Sequence, residues 1–285
     1  MTDIDGRTIV ITGGASGMGR LVALKLARLG GRVVIWDIDS ARLASVVTEL
    51  NALGQRPASG YLCDVSDRAR VAEAAAQVKR DVGPVDIVIS SAGVVSGRSF
   101  LELSDSQIER TMNVNTMALF WIAKAFLPDM VAAGRGHLVT LASAAGTIGV
   151  VGLADYCASK WAAVGLDESL RVELKQRAPR VKTTIVCPYF VDTGMFAGVQ
   201  TRFPFLLPIL SEDRVAERIV RAIRRDKPRL MMPWLVSFVP LLRMLPVGAF
   251  DALASLLGIN AAMRQFHGRA AGGDAAGDPG GLTTE

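Results

Sequence analysis

Residues 8–20 read Thr8-Ile-Val-Ile-Thr-Gly-Gly-Ala-Ser-Gly-Met-Gly-Arg20, an apolar strand followed by a glycine-rich turn and the start of a helix. Gly13 permits the tight turn, Gly17 lets an anionic group approach the backbone, and Gly19 lets the helix pack closely on the strand. The helix would direct free N–H groups and its positive dipole end at this turn. A glycine turn can be purely structural, but this position between strand and helix predicts a dinucleotide-binding site that includes Ser16 and Met18.

Six further apolar runs follow, separated by longer segments of helical periodicity. Unbroken apolar strands between helices indicate strands that are covered on both faces, and therefore a mainly parallel sheet with right-handed crossovers. We predict an α/β protein with a single doubly wound (Rossmann) domain, a seven-stranded parallel sheet with helices on both faces. The predicted strands are Thr8–Thr12, Arg32–Asp37, Ala58–Cys63, Val85–Ser90, His137–Ala142, Thr183–Pro188 and Arg229–Pro233.

Two apolar stretches interrupt this alternation. Tyr189–Leu210 is a long connection, too apolar for a disordered segment, and loops of this length are usually functional. The second stretch spans residues 230–259, but its uncharged run ends at Leu242 and is shorter than the roughly 20 residues that cross a bilayer. We expect this extension to form a protein interface or a pocket wall, with contact to a membrane surface as the less favoured alternative. We assign residues 1–267 to the domain and expect residues 268–285, rich in Gly, Ala and Asp, to form a flexible tail.

The composition of the 285 residues argues against several classes of protein. The net charge is +5 and the basic residues are dispersed, so we expect no nucleic-acid partner. One cluster, Arg221–Arg229, is interpreted as the basic end of a helix, although a site for an anionic surface stays open. Three cysteines without Cys-x-x-Cys spacing are typical of a reducing cytosol, and two distant histidines make a metal site unexpected. Because Met1–Arg7 is polar and no signal peptide is evident, we expect a cytoplasmic protein.

The ends of the next three predicted strands carry polar or small residues at one edge of the sheet. Asp37, followed by Ile38, ends the second strand about 20 residues after the glycine turn, where a carboxylate can accept both ribose hydroxyls and would repel a 2′-phosphate. No Arg or Lys adjoins Asp37, so the sequence favours NAD, although this residue could instead cap the next helix. Asp64-Val65 and Ser91-Ala92-Gly93 follow the third and fourth strands, where ligands of open sheets bind.

Tyr156 and Lys160 are four residues apart, and a helix places such residues one turn apart on the same face. The phenol has a free pKa of about 10, so it needs a nearby cation to act as a base. At an effective dielectric constant of about 20, a charge about 4 Å away contributes roughly 4 kcal/mol. Burial raises the pKa of a phenol, so we expect the ammonium of Lys160 and the positive charge of a bound nicotinamide together to outweigh desolvation of Tyr156. The adjacent Cys157 could be a nucleophile, but without a neighbouring histidine a buried packing thiol is favoured.

Taken together, these motifs resemble the short-chain dehydrogenase/reductase family. The match runs from Thr8 to about Pro233 and includes the pattern Thr-Gly-x-x-x-Gly-x-Gly at Thr12–Gly19. The segments Val34–Asp37, Ile108–Asn115, Asp155–Lys160 and Cys187–Phe196 are further similar to the retinol dehydrogenase-like branch, which includes relatives that act on steroids and other lipids. The usual Asn-Asn-Ala-Gly of the family is Ser90-Ser91-Ala92-Gly93 here.

The resemblance implies reversible oxidation of an alcohol by hydride transfer to a nicotinamide cofactor. Tyr156 would be the general base, Ser143 would hydrogen-bond the reacting oxygen, and Lys160 would also hold the nicotinamide ribose. Asn115 resembles the fourth catalytic residue of the family, which distorts its helix and binds a water, with Asn113 as the alternative assignment. Val191 and Thr193 would bind the nicotinamide amide, and Pro188 would also belong to the cofactor site.

The apolar loop predicts the substrate class, because burial of each CH₂ is worth about 0.8 kcal/mol and the loop offers few polar partners. We expect a hydrophobic small-molecule alcohol or ketone, such as a long-chain or cyclic alcohol, a steroid or a retinoid-like molecule. Two alternatives are an NADP-dependent ketoacyl reductase of lipid synthesis and a catalytically silent nucleotide-binding scaffold. By analogy of fold, we expect a homodimer or homotetramer built on the long helices around Asn115 and Tyr156.

Overall fold

The computed structural model describes residues 1–53, 55–263 and 265–268. Within these residues the seven predicted strands form one sheet in the order β3-β2-β1-β4-β5-β6-β7, with every neighbouring pair parallel. The predicted fold class is therefore confirmed. The strands are β1 (Thr8–Thr12), β2 (Arg32–Asp37), β3 (Ser59–Leu62), β4 (Ile87–Ser90), β5 (Gly136–Leu141), β6 (Val181–Pro188) and β7 (Arg229–Met232).

Helices cover both faces of the sheet, which is why the strands are apolar without interruption. On β1, Ile9 and Ile11 pack against one layer of helices, whereas Val10 belongs to the core on the opposite face. The first layer contains α1 (Gly17–Arg28), α2 (Ser40–Ala52) and α7 (Glu212–Arg224). The second contains α3 (Arg68–Asp81), α5 (Ala118–Ala132) and α6 (Ala154–Arg177), with α4 (Asp105–Met112) leading into α5 through a π-helical turn, Asn113–Met117.

The strand order reverses between β1 and β4, because the chain first builds outward to β3 and then returns to the other side of β1. At such a switch point the loops on the two sides diverge and leave a crevice at the carboxyl ends of the strands. The glycine turn after β1 and the Ser91-Ala92-Gly93 segment after β4 flank this crevice. The topology therefore brings together the polar strand ends that the sequence indicated.

The apolar extension folds into short pieces over the carboxyl end of the sheet. After β7 come a 3₁₀ turn (Trp234–Phe238), α8 (Val239–Leu242) and α9 (Val247–Leu256). A proline stands at or near the start of each piece, at positions 233, 240 and 246. No helix in the described residues has both the length and the apolarity required to cross a bilayer. Of the predicted tail, residues 269–285 lie outside the described residues.

Candidate active site

The glycine turn forms a tight cradle in which side chains would not fit. Gly13 has a positive φ of 63°, and a Cβ atom on it would lie 2.7 Å from the Cα atom of Ala92. A Cβ atom on Gly19 would collide with the carbonyl oxygen of Gly13, so Gly19 lets α1 pack closely against the turn. The helix begins at Gly17, and its first N–H groups have no intrahelical acceptors. This geometry suits a pyrophosphate group, which the N–H groups and the helix dipole would both stabilise.

Asp37 projects from the end of β2 toward the glycine turn. Its carboxylate accepts hydrogen bonds from the backbone N–H groups of Ala15, at 2.9 Å, and of Ile38, at 2.8 Å. The cap of α2 is the neighbouring Asp39, which accepts from the N–H of Arg42 at 2.9 Å and pairs with its guanidinium at 3.2 Å. The alternative assignment of Asp37 as the cap of the next helix is therefore wrong. Asp37 is held at the crevice, with Arg42 engaged elsewhere.

A cleft of about 550 Å³ runs along the carboxyl ends of the strands and contains nearly all the predicted site residues. Every residue predicted to bind the cofactor lines it, together with Ser143. Asn115 is the exception and lies behind the cleft wall. The predicted cofactor residues lining the cleft are Gly13, Ser16, Gly17, Met18, Gly19, Asp37, Ile38, Asp64, Val65, Ser91, Ala92, Gly93, Tyr156, Lys160, Pro188, Val191 and Thr193.

Tyr156, Lys160 and Ser143 meet at one end of this cleft. Tyr156 and Lys160 lie on the first turns of α6, and the Nζ atom of Lys160 is 5.5 Å from the centroid of the tyrosine ring. The ammonium donates a hydrogen bond to the carbonyl oxygen of Leu141 at 3.1 Å, at the end of β5. Ser143 lies two residues after the end of β5, and its hydroxyl accepts from the N–H of Ala145 at 3.1 Å. Tyr156 and Lys160 are both buried.

Burial dominates the ionisation of both groups. The pKa of Tyr156 is raised above its ordinary value, because desolvation of the phenolate outweighs the hydrogen bond from Ser143 that lowers it. Burial likewise lowers the pKa of Lys160 to about 8. Among the protein's own groups desolvation dominates, so a lowered pKa of Tyr156 through Lys160 and a bound nicotinamide together stays a prediction. The ammonium is bound to the Leu141 carbonyl and lies over the ring, so it does not compensate for desolvation of the phenol.

Asn115 lies in the π-helical turn between α4 and α5, where it is buried, whereas Asn113 is exposed. Its amide donates to the carbonyl oxygen of Val94 and its Oδ1 accepts from the N–H of the same residue, both at 2.9 Å. The amide also donates to the hydroxyl of Ser159 at 3.1 Å. A π-helical turn of this kind often marks a functional site. The geometry favours Asn115 over Asn113, because only Asn115 joins the segment after β4 to the helix that carries the tyrosine.

Asp155, which the sequence did not single out, fixes the start of α6. Its Oδ2 accepts hydrogen bonds from the hydroxyls of Ser96 and Thr111, each at 2.7 Å. The residue is buried and directly precedes Tyr156, so it ties the tyrosine helix to α4 and to the segment after β4. An acidic residue in the first turn of a helix was visible in the sequence, but its partners were not.

A second, apolar cavity of about 80 Å³ adjoins the cleft and shares with it Ser143, Tyr156, Tyr189 and Phe196. The remaining lining is almost wholly apolar and comes from the segment 144–153, the loop 189–210 and the extension 230–259. Only the uncharged composition of these stretches indicated such a pocket in the sequence. Ile148 in the segment 144–153 was not expected in this wall, whereas the other wall residues belong to the extension, for which a pocket wall was one expected role: Leu235, Val239, Phe250, Leu253 and Leu257.

Comparison with known proteins identifies the family. The family model described as short chain dehydrogenase matches residues 7–202. The chain belongs to the short-chain dehydrogenase family. Its members are oxidoreductases that bind a nicotinamide cofactor, in agreement with the cleft. Among the relatives of this short-chain dehydrogenase is epidermal retinol dehydrogenase 2 of Homo sapiens, which is 45% identical over 266 residues, or 93% of this chain and 86% of the relative.

Solved structures of this family share the fold. A short-chain dehydrogenase/reductase from Burkholderia phymatum in complex with NAD superposes with a TM-score of 0.77 at 29% identity, covering 86% of this chain and 95% of that one. A metagenomic short-chain oxidoreductase in complex with NADP has a TM-score of 0.67 at 29% identity, covering 81% and 96%. Because these structures contain different cofactors, the choice between NAD and NADP depends on the residues of this chain.

Proposed function

We propose that this short-chain dehydrogenase interconverts a hydrophobic alcohol and its ketone or aldehyde with NAD as cofactor. The observation that carries the proposal is that Ser143 and Tyr156 line both the cleft and the apolar cavity. A carbinol group between the two spaces would lie beside both hydroxyls while its apolar remainder occupied the cavity. The similarity to epidermal retinol dehydrogenase 2 supports an apolar alcohol as the substrate.

The protein residues would manage the proton and the developing charge. When bound, the nicotinamide accepts or donates the hydride. In the oxidation direction Tyr156 would accept the hydroxyl proton, while Ser143 donates a hydrogen bond to the reacting oxygen. The ammonium of Lys160 and the positive charge of the bound nicotinamide would together offset desolvation of the phenolate that this requires. Asn115 would keep the tyrosine helix in register with the segment after β4 through its bonds to Val94 and Ser159.

The preference for NAD rests on Asp37. Its carboxylate lies at the cleft beside the glycine turn, where it can accept hydrogen bonds from ribose hydroxyls and would repel a 2′-phosphate. Arg42, the nearest downstream cation in the sequence, pairs with Asp39 instead of presenting its charge to the site. This arrangement argues against the alternative of an NADP-dependent ketoacyl reductase.

Steady-state turnover of a panel of alcohols with NAD and with NADP tests the proposal. The panel should contain a retinoid, a steroid alcohol, long-chain primary and secondary alcohols, and small polyols. We expect NAD-dependent oxidation of the apolar compounds, with the lowest KM for those that fill the cavity. Preference for polyols would contradict the substrate class, and preference for NADP with ketoacyl substrates would favour the reductase. Cofactor binding without turnover across the panel would favour the silent scaffold.

We further propose that the protein is a homo-oligomer whose subunits meet through α5 and α6. Four large apolar side chains on these helices are partly exposed, namely Phe120, Val131, Trp161 and Val172. Long helices with exposed apolar residues are typical of subunit interfaces in oligomeric enzymes. Light scattering coupled to size exclusion should give a mass of two or four chains, and a monomeric mass at micromolar concentration would contradict this proposal.

A further inference from the structure

Phe196 lies at the junction of the cleft and the apolar cavity and lines both. Its ring meets the ring of Tyr156 edge-on, with centroids 5.7 Å apart and planes at 79°. On its other side it contacts Phe190, with a centroid distance of 5.2 Å. The position of this one ring therefore decides how wide the passage is between the proposed catalytic tyrosine and the apolar space.

The loop that carries Phe196 is attached to the sheet mainly at its ends. Near the base, Leu210 donates from its N–H to the carbonyl oxygen of Phe190 at 2.8 Å, and Asp192 donates back to Leu210 at 3.0 Å. The middle of the loop contains no helix or strand. The extension holds the later part of the loop through Arg202, whose guanidinium donates to the carbonyl oxygen of Leu256 at 3.2 Å, but the side chain of Phe196 needs a contact nearer to it.

That contact comes from the end of the described chain, residues 262–263 and 265–268, here called the strap. The N–H of His267 donates to the carbonyl oxygen of Ala197 at 3.1 Å, and the N–H of Gln200 donates to the carbonyl oxygen of Ala262 at 3.2 Å. The side-chain amide of Gln200 also donates to Oε1 of Gln265 at 2.7 Å. The strap thus hydrogen-bonds the loop on the residues that follow Phe196.

Two glycines provide the space in which the strap lies. Gly97, with a φ of 66°, faces the ring of Phe266 so closely that a Cβ atom would collide with it. Gly198, with a φ of 87°, has no room for a Cβ atom against the carbonyl oxygen of Gln265. The ring of Phe266 in turn lies 6.3 Å from that of Phe196, centroid to centroid. Phe266 is therefore packed between the segment after β4 and the ring at the cavity junction.

We propose that the strap is a positioning element of the active site, with Phe266 as the positioning residue and Phe196 as a determinant of substrate specificity. Phe266 holds the Phe196 ring against Tyr156, and this keeps the passage narrow enough for slender apolar alcohols. The inference rests on the proposed function and deepens it. It also extends the active site to residues more than 60 positions beyond Phe196 in the sequence.

The test is the substrate profile of Phe266→Ala, measured with the full chain. We expect KM for the best slender apolar alcohol to rise about tenfold, as for a lost pocket contact, while kcat changes by less than about threefold. KM for bulkier cyclic alcohols should rise less, so the preference of the enzyme for slender over bulky alcohols should fall. The Kd of NAD, measured by fluorescence titration, should stay unchanged, and Phe266→Leu should restore much of the selectivity.

Phe205→Ala is the matched control, because this residue is a phenylalanine of the same loop that is 79% exposed and lines neither space. It should leave the profile as in the wild type. Gly97→Ala should reproduce Phe266→Ala by displacing the ring, and the two changes combined should be less than additive. Equal effects of Phe205→Ala and Phe266→Ala, or an unchanged profile in Phe266→Ala, would overturn the proposal.

Hydrogen exchange separates the strap from the proposed function. If the wild type oxidises none of the alcohols, the proposed function fails, but the strap still predicts faster amide exchange in residues 195–207 of Phe266→Ala, with α6 unchanged. Unchanged exchange in the loop would overturn the positioning role whatever the substrate.

Discussion

The ammonium of Lys160 lies 5.5 Å from the ring centroid of Tyr156, and its Nζ atom donates to the Leu141 carbonyl at 3.1 Å. Within the described residues no carboxylate pairs with this buried cation. The ammonium is consequently held in its ionised form at a cost in free energy of folding, whereas burial keeps the phenol of Tyr156 neutral. Such costs are typical of functional sites, where residues serve chemistry instead of stability.

Replacing Lys160 by Met should therefore stabilise the protein while abolishing turnover. The lysine pKa is lowered from 10.5 to about 8, so the buried charge destabilises the fold by roughly 3 kcal/mol. Loss of the hydrogen bond to Leu141 in the variant would reduce the gain in stability by about 1 kcal/mol. The pKa of Lys160 is lower in the folded protein than in the unfolded chain. The stability gained by the variant should therefore be full below pH 8 and fade toward pH 10.5. Denaturant titrations at pH 7 and pH 10 measure this, with Lys175→Met, an exposed site on α6, as the control. Equal or lower stability of Lys160→Met at pH 7 would contradict the argument.

Replacing Tyr156 by Phe should lower kcat by about a thousandfold, since loss of a positioned general base typically costs 10²–10⁴. The Kd of NAD should change little, because the ring and its contact with Phe196 are retained. Steady-state kinetics and fluorescence titration give the two quantities. Cys157→Ala is the neighbouring control: its buried thiol has a pKa raised mainly by desolvation, and turnover should persist. Near-normal activity of Tyr156→Phe would refute the proposed base.

Replacing Asp37 by Ala should weaken NAD about tenfold or more, since hydrogen bonds to a charged group contribute about 1.5–3 kcal/mol. The change should weaken the binding of NADP less than that of NAD, so the preference for NAD over NADP should fall. Asp39→Ala provides a matched control, because this carboxylate caps α2 and pairs with Arg42. Its loss should lower the free energy of unfolding by about 1 kcal/mol and leave the ratio of the Kd values for NAD and NADP unchanged. Identical ratios of the two Kd values in wild type and Asp37→Ala would remove Asp37 from the cofactor site.

Replacing Asp167 by Asn should raise stability without loss of activity. This carboxyl belongs to a buried residue of α6, and burial raises its pKa from 3.8 to about 6. Because the folded pKa is the higher one, the wild type loses stability as pH rises from about 4 to 6, by roughly 3 kcal/mol. The variant should thus match the wild type near pH 4 and exceed it above pH 6, as unfolding curves would record.

Glu168→Gln serves as the control for this change. Glu168 forms a partly exposed ion pair with Arg229, and this pair should contribute less than about 1 kcal/mol to the free energy of unfolding. If Asp167→Asn and Glu168→Gln have the same pH dependence of unfolding, the buried carboxyl is not responsible for it.

Much of the candidate site could be read from the sequence because its parts are local. The glycine turn, Asp37 and the Tyr156–Lys160 spacing each lie within one strand, turn or helix, and parallel strands bring their carboxyl ends to one edge. The ionisation of Tyr156 could not be read in this way. Its direction depends on burial and on where the Lys160 ammonium is anchored, and both follow from contacts with β5.

The sequence by itself determined the doubly wound sheet, the cofactor edge and the family, because apolar strands covered on both faces and short motifs leave few alternative arrangements. Only the tertiary structure decided which apolar residues surround the cavity, and that Phe266 packs against Gly97 and Phe196. Apolar packing is non-directional, so hydrophobic character marks a residue for burial without naming its neighbours. Contacts between segments far apart in the chain arise only when the whole domain closes.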